Sequence, residues 1–267
     1  MSRLRASDLR LAYDQRVVAD HLDLTIPDES FTVIVGPNAC GKSTLLRALA
    51  RLLKPTRGTV FLDGGPITAL PAKEVARRLG LLPQSPVTPD GISVADLVGR
   101  GRYPHQGLLR QWSREDERAV EAAMAAVGVT ELADRIVEEL SGGQRQRVWL
   151  AVVLAQETSI MLLDEPTTFL DIAHQIEVLD LCSRLHEEGR TLVAVLHDLN
   201  QACRYATHLV AMCEGEVVAQ GPPGEIVTAE LVERVFGLPC QIIADPESGT
   251  PLIVPADRRR ALTRKAV

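Results

Sequence analysis

Gly36-Pro37-Asn38-Ala39-Cys40-Gly41-Lys42-Ser43-Thr44 is the stretch that decides the fold. It has the spacing GxxxxGK[ST], and it stands where a phosphate-cradling loop must stand, after the apolar run Phe31–Val35 and before the helical run Leu45–Leu53. In such a loop the backbone N–H groups and the N-terminus of the following helix surround phosphate oxygens. The Lys42 ammonium then reaches the β and γ phosphates, and the Ser43 hydroxyl joins a Mg²⁺ shell. An apolar strand covered on both faces and followed by a helix predicts an α/β layer structure around a largely parallel sheet.

Outward from the loop, Met161–Leu163 and Leu192–Leu196 are further unbroken apolar runs of strand length. Ile160-Met161-Leu162-Leu163-Asp164-Glu165 ends such a strand in two acids. A carboxylate in that place holds the Mg²⁺ of a nucleotide through water, which assigns the role to Asp164. Glu165, one residue on, is placed to polarise an attacking water as general base. These two motifs establish a nucleotide-binding fold and leave kinase, GTPase, helicase and transport motor all open.

The chain has 267 residues, 46% of them hydrophobic, which allows one domain with a substantial core and an inserted or appended piece. A net charge of −6 and a pI of about 5.6 give no broad attraction to nucleic acid, and no nucleic-acid partner is expected. No apolar run approaches the roughly 18 residues needed to cross a bilayer, so a membrane role has to come through a partner. Met1–Arg5 lacks the apolar stretch of a signal peptide, and the cytosol is the expected compartment. The cysteines, Cys40, Cys182, Cys203, Cys213 and Cys240, are odd in number and form no CxxC pair. They read as reduced thiols.

Leu4–Tyr13 and Val17–Ile26 mix polar and apolar positions as antiparallel strands do, which predicts a small β-layer beside the central sheet. From about Val87 to Thr158 the pattern turns helical. Ser93-Val94-Ala95-Asp96 and Ser113-Arg114-Glu115-Asp116 both read as capping boxes with Asp in the third helical position, and Ala119, Val120, Ala123, Met124 and Val127 keep helical spacing. The Ile172–Leu185 run predicts another helix with Ile172, Ile176, Leu179 and Cys182 on its buried face. The expected organisation is an α/β core over about 1–86 and 158–255, a helical subdomain over about 87–157, and a basic tail over 256–267. That tail, with Arg258, Arg259, Arg260, Arg264 and Lys265, reads as a solvated terminus.

Leu140-Ser141-Gly142-Gly143-Gln144 decides among the nucleotide-binding classes. It opens the helical run Gln144–Gln156, so that Ser141, the Gly143 amide and the helix N-terminus make a second phosphate-recognising surface. A chain whose own loop already cradles a nucleotide has use for such a surface if it serves the nucleotide of another subunit. With this motif the chain resembles the ABC transporter ATPases, whose signature is LSGGQ.

The resemblance implies a P-loop NTPase core of the RecA-like kind, with an antiparallel β subdomain and an inserted α-helical subdomain, binding ATP and Mg²⁺. It implies that Gln84, in Leu81-Leu82-Pro83-Gln84, touches the metal together with Ser43 and Asp164. It also implies that His197 lies near the γ-phosphate and that Tyr13 stacks on adenine. Gly36 to Thr44 would hold one nucleotide, and Ser141, Gly142, Gly143 and Gln144 that of a second copy. Catalysis falls to Glu165, His197, Lys42 and Gln84. The pattern runs from about residue 3 to 255.

Two positions depart from it. Ala39 stands where the family usually has Gly, which strains the loop if the position needs φ > 0. The turn Thr168-Phe169-Leu170-Asp171 has Thr-Phe where Ser followed by Ala or His is more frequent. Cys40, two residues before Lys42, allows two readings. Either the helix N-terminus and the ammonium make it a reactive thiolate, or it is a small residue with its sulfur turned inward.

A narrower resemblance lies in Val98-Gly99-Arg100-Gly101-Arg102-Tyr103-Pro104-His105-Gln106, in Trp112–Asp116 and in the stretch Gly237–Pro255. These are similar to the ATPase subunits of ferric-siderophore importers, a group that shades into haem and cobalamin importers. Implied partners are a second ATPase subunit, forming a homodimer around two ATP, and integral membrane permease subunits. A periplasmic or lipoprotein siderophore-binding protein is an indirect partner. The implied location is the cytoplasmic face of the cell membrane, held peripherally. A soluble ABC ATPase such as an iron–sulfur assembly ATPase shares the single-domain layout and is the alternative from another class.

Overall fold

The computed structural model describes residues 3–107 and 112–257. The basic side chains from Arg258 onward lie outside the described residues. Along the chain, β1 (Leu4–Tyr13) and β2 (Arg16–Ile26) are followed by β3 (Phe31–Val35) and α1 (Lys42–Leu49). Next come β4 (Arg57–Leu62), the short β5 (Gly65–Pro66), α2 (Ala72–Arg78) and β6 (Leu79–Leu82). Three helices stand together in sequence, α3 (Val94–Gly99), α4 (Arg114–Ala126) and α5 (Gly142–Ala155). Strand and helix then alternate through β7 (Ile160–Asp164), α6 (Ile172–Glu187), β8 (Thr191–Val195), α7 (Leu199–Tyr205) and β9 (His208–Cys213). The last described elements are β10 (Glu216–Gly221), α8 (Pro223–Ile226), α9 (Ala229–Phe236), β11 (Cys240–Ala244) and β12 (Pro251–Pro255).

The central sheet has the order β10-β9-β3-β8-β7-β6, parallel from β9 to β6 with β10 antiparallel at one edge. Every residue of β3, β7 and β8 is buried, as their unbroken apolar runs require of strands covered on both faces. Side chains alternate across this sheet. Phe31, Val33 and Val35 face α6 and the helices α3 to α5, while Ile34 faces α1 and the second sheet. That second sheet is antiparallel with the order β2-β1-β4-β5. Leu4, Leu9, Leu11, Leu24 and Ile26 point from it onto Leu45, Leu46 and Leu49 of α1. Each leucine buried in that layer contributes roughly 1.5–3 kcal/mol to holding the loop that precedes α1.

The helical block is closed by Leu97, Val98, Val120, Ala123, Met124, Val148 and Ala151. Ser113 and Asp116 form a full capping box at the start of α4. Ser93 forms half of one: its hydroxyl accepts from the Asp96 N–H, but the Asp96 carboxylate takes the Ser93 hydroxyl instead of the backbone. Arg102, 2% exposed, donates to Asp116 at 2.9 Å, to Glu157 at 2.5 Å and to the Ala155 carbonyl at 2.8 Å. Removing one member of such a buried pair costs about 3–5 kcal/mol, so this contact fixes the Gly101–His105 segment against the end of α5.

One expected face is corrected. Val178, Leu179, Leu181, Cys182 and Leu185 are the buried side of α6, whereas Ile172 is 78% exposed and Ile176 only half-buried. Among the described residues nothing covers Ile172 in the first turn of this helix. A regular helical spacing marks a stripe but does not say how far along its length the core reaches.

Candidate functional site

At the end of β3 the chain reverses direction around α1. A Cβ on Gly36 would lie 2.2 Å from the Met212 carbonyl oxygen, so only glycine lets the loop pass beside β9. Gly41, at φ +105, starts the helix, and Ala39 sits at φ +63. An L-residue in the left-handed region costs roughly 1–2 kcal/mol. The burial of α1 on one side and of β3 on the other is what holds the alanine there.

Lys42 is 5% exposed, and its Nζ donates to the carbonyls of Gly36 and Pro37 at 2.8 Å each. The ammonium is thus folded over the loop that it follows. Cys40 is decided by its packing. It is 5% exposed, in the same apolar cluster as Met212, with its sulfur beside Gly36 and 3.9 Å from the Lys42 Nζ. Burial pushes the thiol up from its usual range and outweighs the pull of Lys42. The inward reading of Cys40 is therefore the one that holds.

β7, two strands along from β3, delivers the two acids. The Ser43 hydroxyl donates to Asp164 Oδ1 at 2.8 Å. Asp164 is 2% exposed, and burial pushes its carboxyl up, opposed by the Ser43 hydrogen bond and aided by neighbouring Glu165. Glu165 adopts φ +55 just past the strand end, which turns its side chain into the site. Its Oε1 accepts from Gln84 Nε2 at 2.8 Å and lies 2.7 Å from His197 Nε2, and its Oε2 accepts from Thr168 Oγ1 at 3.2 Å. Burial alone would raise this carboxyl. The hydrogen bonds from His197 and Gln84 prevail, and they hold it below the usual carboxylate range.

Lys42, Ser43, Gln84, Glu165 and His197 line one cavity of about 620 Å³ together with Tyr13, Asn38, Ala39, Gly41, Thr44, Arg16 and Val18, and Asp164 lies behind Ser43. Tyr13 is 41% exposed, and its hydroxyl accepts from Arg47 at 3.3 Å. Arg16 and Val18 were not singled out from sequence. Their signal is the two-residue turn at Asp14 and Gln15, which sets Arg16 directly opposite Tyr13. Thr168 and Gln146 were also missed. Gln146 Nε2 donates to the carbonyls of Glu165 and Pro166, at 3.4 and 3.2 Å, and so secures the turn after the base.

The Ser141–Gln144 motif lies elsewhere. Ser141 Oγ accepts from the Gln144 N–H at 3.2 Å and Gln144 Oε1 accepts from the Ser141 N–H at 3.1 Å, a capping box that starts α5. Ser141 and Gly142 are exposed, and none of the four residues lines the cavity. A Cβ on Gly142 would sit 3.5 Å from Phe169 and one on Gly143 3.3 Å from Leu170. The motif and the Thr168–Asp171 turn thus share one surface.

Ser43 Oγ and the Asp164 carboxylate are adjacent oxygens in a buried place, 2.8 Å apart. Gln84 brings a carbonyl oxygen to the same cavity. An all-oxygen set suits a hard cation such as Mg²⁺.

A phosphate loop between strand and helix, with paired acids ending a nearby parallel strand, defines a P-loop nucleotide triphosphatase. The family description for the ABC transporter matches residues 19–168. The chain is 62% identical to the ferric enterobactin transport ATP-binding protein FepC of Escherichia coli, over 97% of this chain and 96% of that one. It is 55% identical to the probable siderophore transport system ATP-binding protein YusV of Bacillus subtilis, over 100% of this chain and 97% of the other. Its fold superposes on the dimeric structure of MJ0796, a bacterial ABC transporter cassette, with a TM-score of 0.75 at 27% identity, over 82% of this chain and 98% of that one. The chain belongs to the ABC transporter family.

Proposed function

We propose that this chain is the ATP-hydrolysing subunit of an importer that takes up iron(III)–siderophore complexes through a separate membrane permease. The observation that carries the motor assignment is Glu165, held below the ordinary carboxylate range by His197 and Gln84 in the same cavity as Lys42. The cargo assignment rests on the relatives, whose names concern ferric enterobactin and siderophore transport.

The backbone N–H groups of Gly36 to Thr44 and the start of α1 bind the phosphates of ATP, and Lys42 exchanges its two carbonyl partners for phosphate oxygens. Tyr13 and Val18 offer the flat, half-exposed wall that suits an adenine ring. Ser43, Asp164 and Gln84 would hold Mg²⁺, which when bound neutralises charge on the β and γ phosphates. Glu165 accepts the proton of the attacking water. His197 steadies that carboxylate and stands beside the place of the γ-phosphate. Ser141, Gly142, Gly143 and Gln144 close over the nucleotide of a second copy, so two chains share two ATP.

The helical block of about 87–157 works as a subdomain set against the core of about 1–86 and 158–255. On the core, beside the strand that leads to Gln84, a mainly apolar groove of about 490 Å³ is lined by Leu52, Val75, Ala76, Leu81 and Pro83, with Gln156 of the helical block at its edge. A cytoplasmic segment of the permease fits there, with Tyr103, 75% exposed, at the neighbouring Arg102 anchor. Among the described residues no helix is long and apolar enough to cross a membrane. That permease contact places the chain on the cytoplasmic face, and the siderophore-binding protein acts through the permease alone.

The test is uptake. A strain lacking this chain should fail to accumulate radiolabelled iron from a ferric siderophore, and the Glu165→Gln gene should not restore it. A defect confined to haem or cobalamin would keep the motor and remove the siderophore cargo. Normal uptake of all three would instead favour an ATPase that serves no permease.

A further inference from the structure

Two side chains outside the nucleotide cavity join a path of hydrogen bonds and backbone that meets it at Glu165 and His197. Gln201, in the first turn of α7, donates through Nε2 to Gln175 Oε1 at 3.1 Å. Gln175, in the first turn of α6, donates through Nε2 to the Leu170 carbonyl at 3.0 Å. Leu170 belongs to the turn whose Thr168 hydroxyl donates to Glu165 Oε2, and Glu165 Oε1 meets His197. One residue after His197, Asp198 Oδ1 accepts from the N–H groups of Asn200 and Gln201 at 2.8 and 2.9 Å, which returns the path to its start.

The path is tied at one further point. Asn200 Oδ1 accepts from the Ile253 N–H at 2.7 Å, and Asn200 Nδ2 donates to the Ile253 carbonyl at 3.4 Å. The side-chain amide thereby pairs with β12 as a neighbouring strand would, and it fixes the start of α7 against the β11–β12 hairpin. At the far end, Phe169 sits at φ +66 and is 77% exposed. A strained, outward aromatic needs its neighbours pinned, and the Leu170 carbonyl is the atom that Gln175 pins.

We propose that Gln175 and Gln201 are positioning residues that lock the Thr168–Asp171 turn to the His197-bearing segment, so that the general base and the surface offered to the second copy are set together. Neither lines the nucleotide cavity. Each amide acts with a defined direction, Gln201 giving a proton to Gln175 and Gln175 giving one to Leu170. This rests on Glu165 and His197 having the roles proposed above.

The experiment uses the full chain and measures steady-state ATP hydrolysis, ATP binding with a fluorescent nucleotide, and thermal melting. Gln175→Ala and Gln201→Ala should each lower kcat about tenfold with KM for ATP changed less than about twofold, because the loss is one of geometry at the reacting centre. The double variant should lose no more than either single one, since both break the same path. Gln175→Glu keeps an acceptor for Gln201 but cannot donate to the Leu170 carbonyl, and it should behave like Gln175→Ala. Wild-type kcat in the alanine variants overturns the proposal, as do losses that multiply in the double variant. It is equally overturned if Gln175→Glu is fully active, or if kcat, ATP affinity and melting temperature fall together as a merely structural role predicts. Glu165→Gln and His197→Ala are measured alongside. If those two hydrolyse ATP normally the catalytic reading itself fails, whereas if they are inactive and the glutamine variants are not, only the positioning role fails.

Discussion

Residues 36–44 and residues 141–144 both place backbone N–H groups at the start of a helix, yet the first set is enclosed by its own chain and the second faces outward. Around Lys42 the cavity is lined by residues of the Asn38–Thr44 stretch, by Tyr13, Arg16 and Val18 of the second sheet, by Gln84 and Glu165 just past β6 and β7, and by His197 from the segment after β8. Around Ser141 the described residues supply a capped helix and the Phe169 turn but no opposite wall. The difference teaches that binding and hydrolysis have different structural requirements here. Under the proposed function a single chain holds ATP, and the exposed half of a second copy completes the reaction.

The strongest way to sharpen this contrast is at the base. Glu165→Gln should leave ATP binding intact and reduce hydrolysis by about 10³-fold, within the range for losing general-base catalysis, and it should accumulate a nucleotide-bound dimer on size exclusion. Hydrolysis at the wild-type rate would remove Glu165 from that role. Ser141→Arg acts on the outward half alone. It should reduce turnover about 10²-fold, as loss of transition-state positioning does, while the single chain still binds ATP with unchanged affinity. Lost affinity in the isolated chain would break the comparison, because it would make Ser141 part of its own pocket.

His197→Ala tests the electrostatics of the enclosed half. Glu165 must be ionised to accept a proton, so activity exists above its pKa and is lost as pH falls through it. His197 is the largest of the groups that lower this carboxyl, and its loss leaves burial opposed only by the hydrogen bonds from Gln84 and Thr168. The acid limb of the kcat profile should move to higher pH, beyond an overall loss of about tenfold. An acid limb that stays in place would show that His197 does not set the base.

Two smaller effects concern the loop. Cys40 should be alkylated no faster than the partly exposed Cys213 and Cys240, and Mg-ATP should not alter its rate, as followed by peptide mapping. Preferential labelling of Cys40 would mean that the loop opens far more readily than its burial implies. Ala39→Gly should relieve left-handed strain of roughly 1–2 kcal/mol, offset by about 0.4–1 kcal/mol from the freer unfolded chain. The melting temperature should rise by about 1–3 °C. A fall would show that the alanine methyl makes a contact worth more than its strain.

Much of the enclosed half was legible in advance because its residues are contiguous and their chemistry is tied to a backbone shape. An apolar strand, a glycine turn and Lys42 stand in order within a dozen positions, and Asp164 with Glu165 ends another apolar run. Tyr13, Gln84 and His197 were reached only through resemblance, since each is a single residue at an element's edge with no local pattern. Gln175, Gln201 and Thr168 gave no signal. They work through hydrogen bonds between α6, α7 and the turn after β7, segments separated in sequence and joined only by the sheet. Arg102 likewise reads as a surface cation until α4 and the end of α5 close over it.

The sequence by itself determined the alternation of strands and helices, the phosphate loop, the paired acids and the second helix-start motif, because hydrophobic period, glycine spacing and charge act over short distances. Tertiary structure alone decided which way Cys40 turns, how far the buried stripe of α6 extends, which groups hold Glu165 ionised, and that Ser141 stands apart from the cavity. Each of these depends on what lies across a gap in space. A chain's neighbours in space are fixed by strand order and packing, and those follow from the sum of many weak burial energies, not from any single stretch that can be read in line.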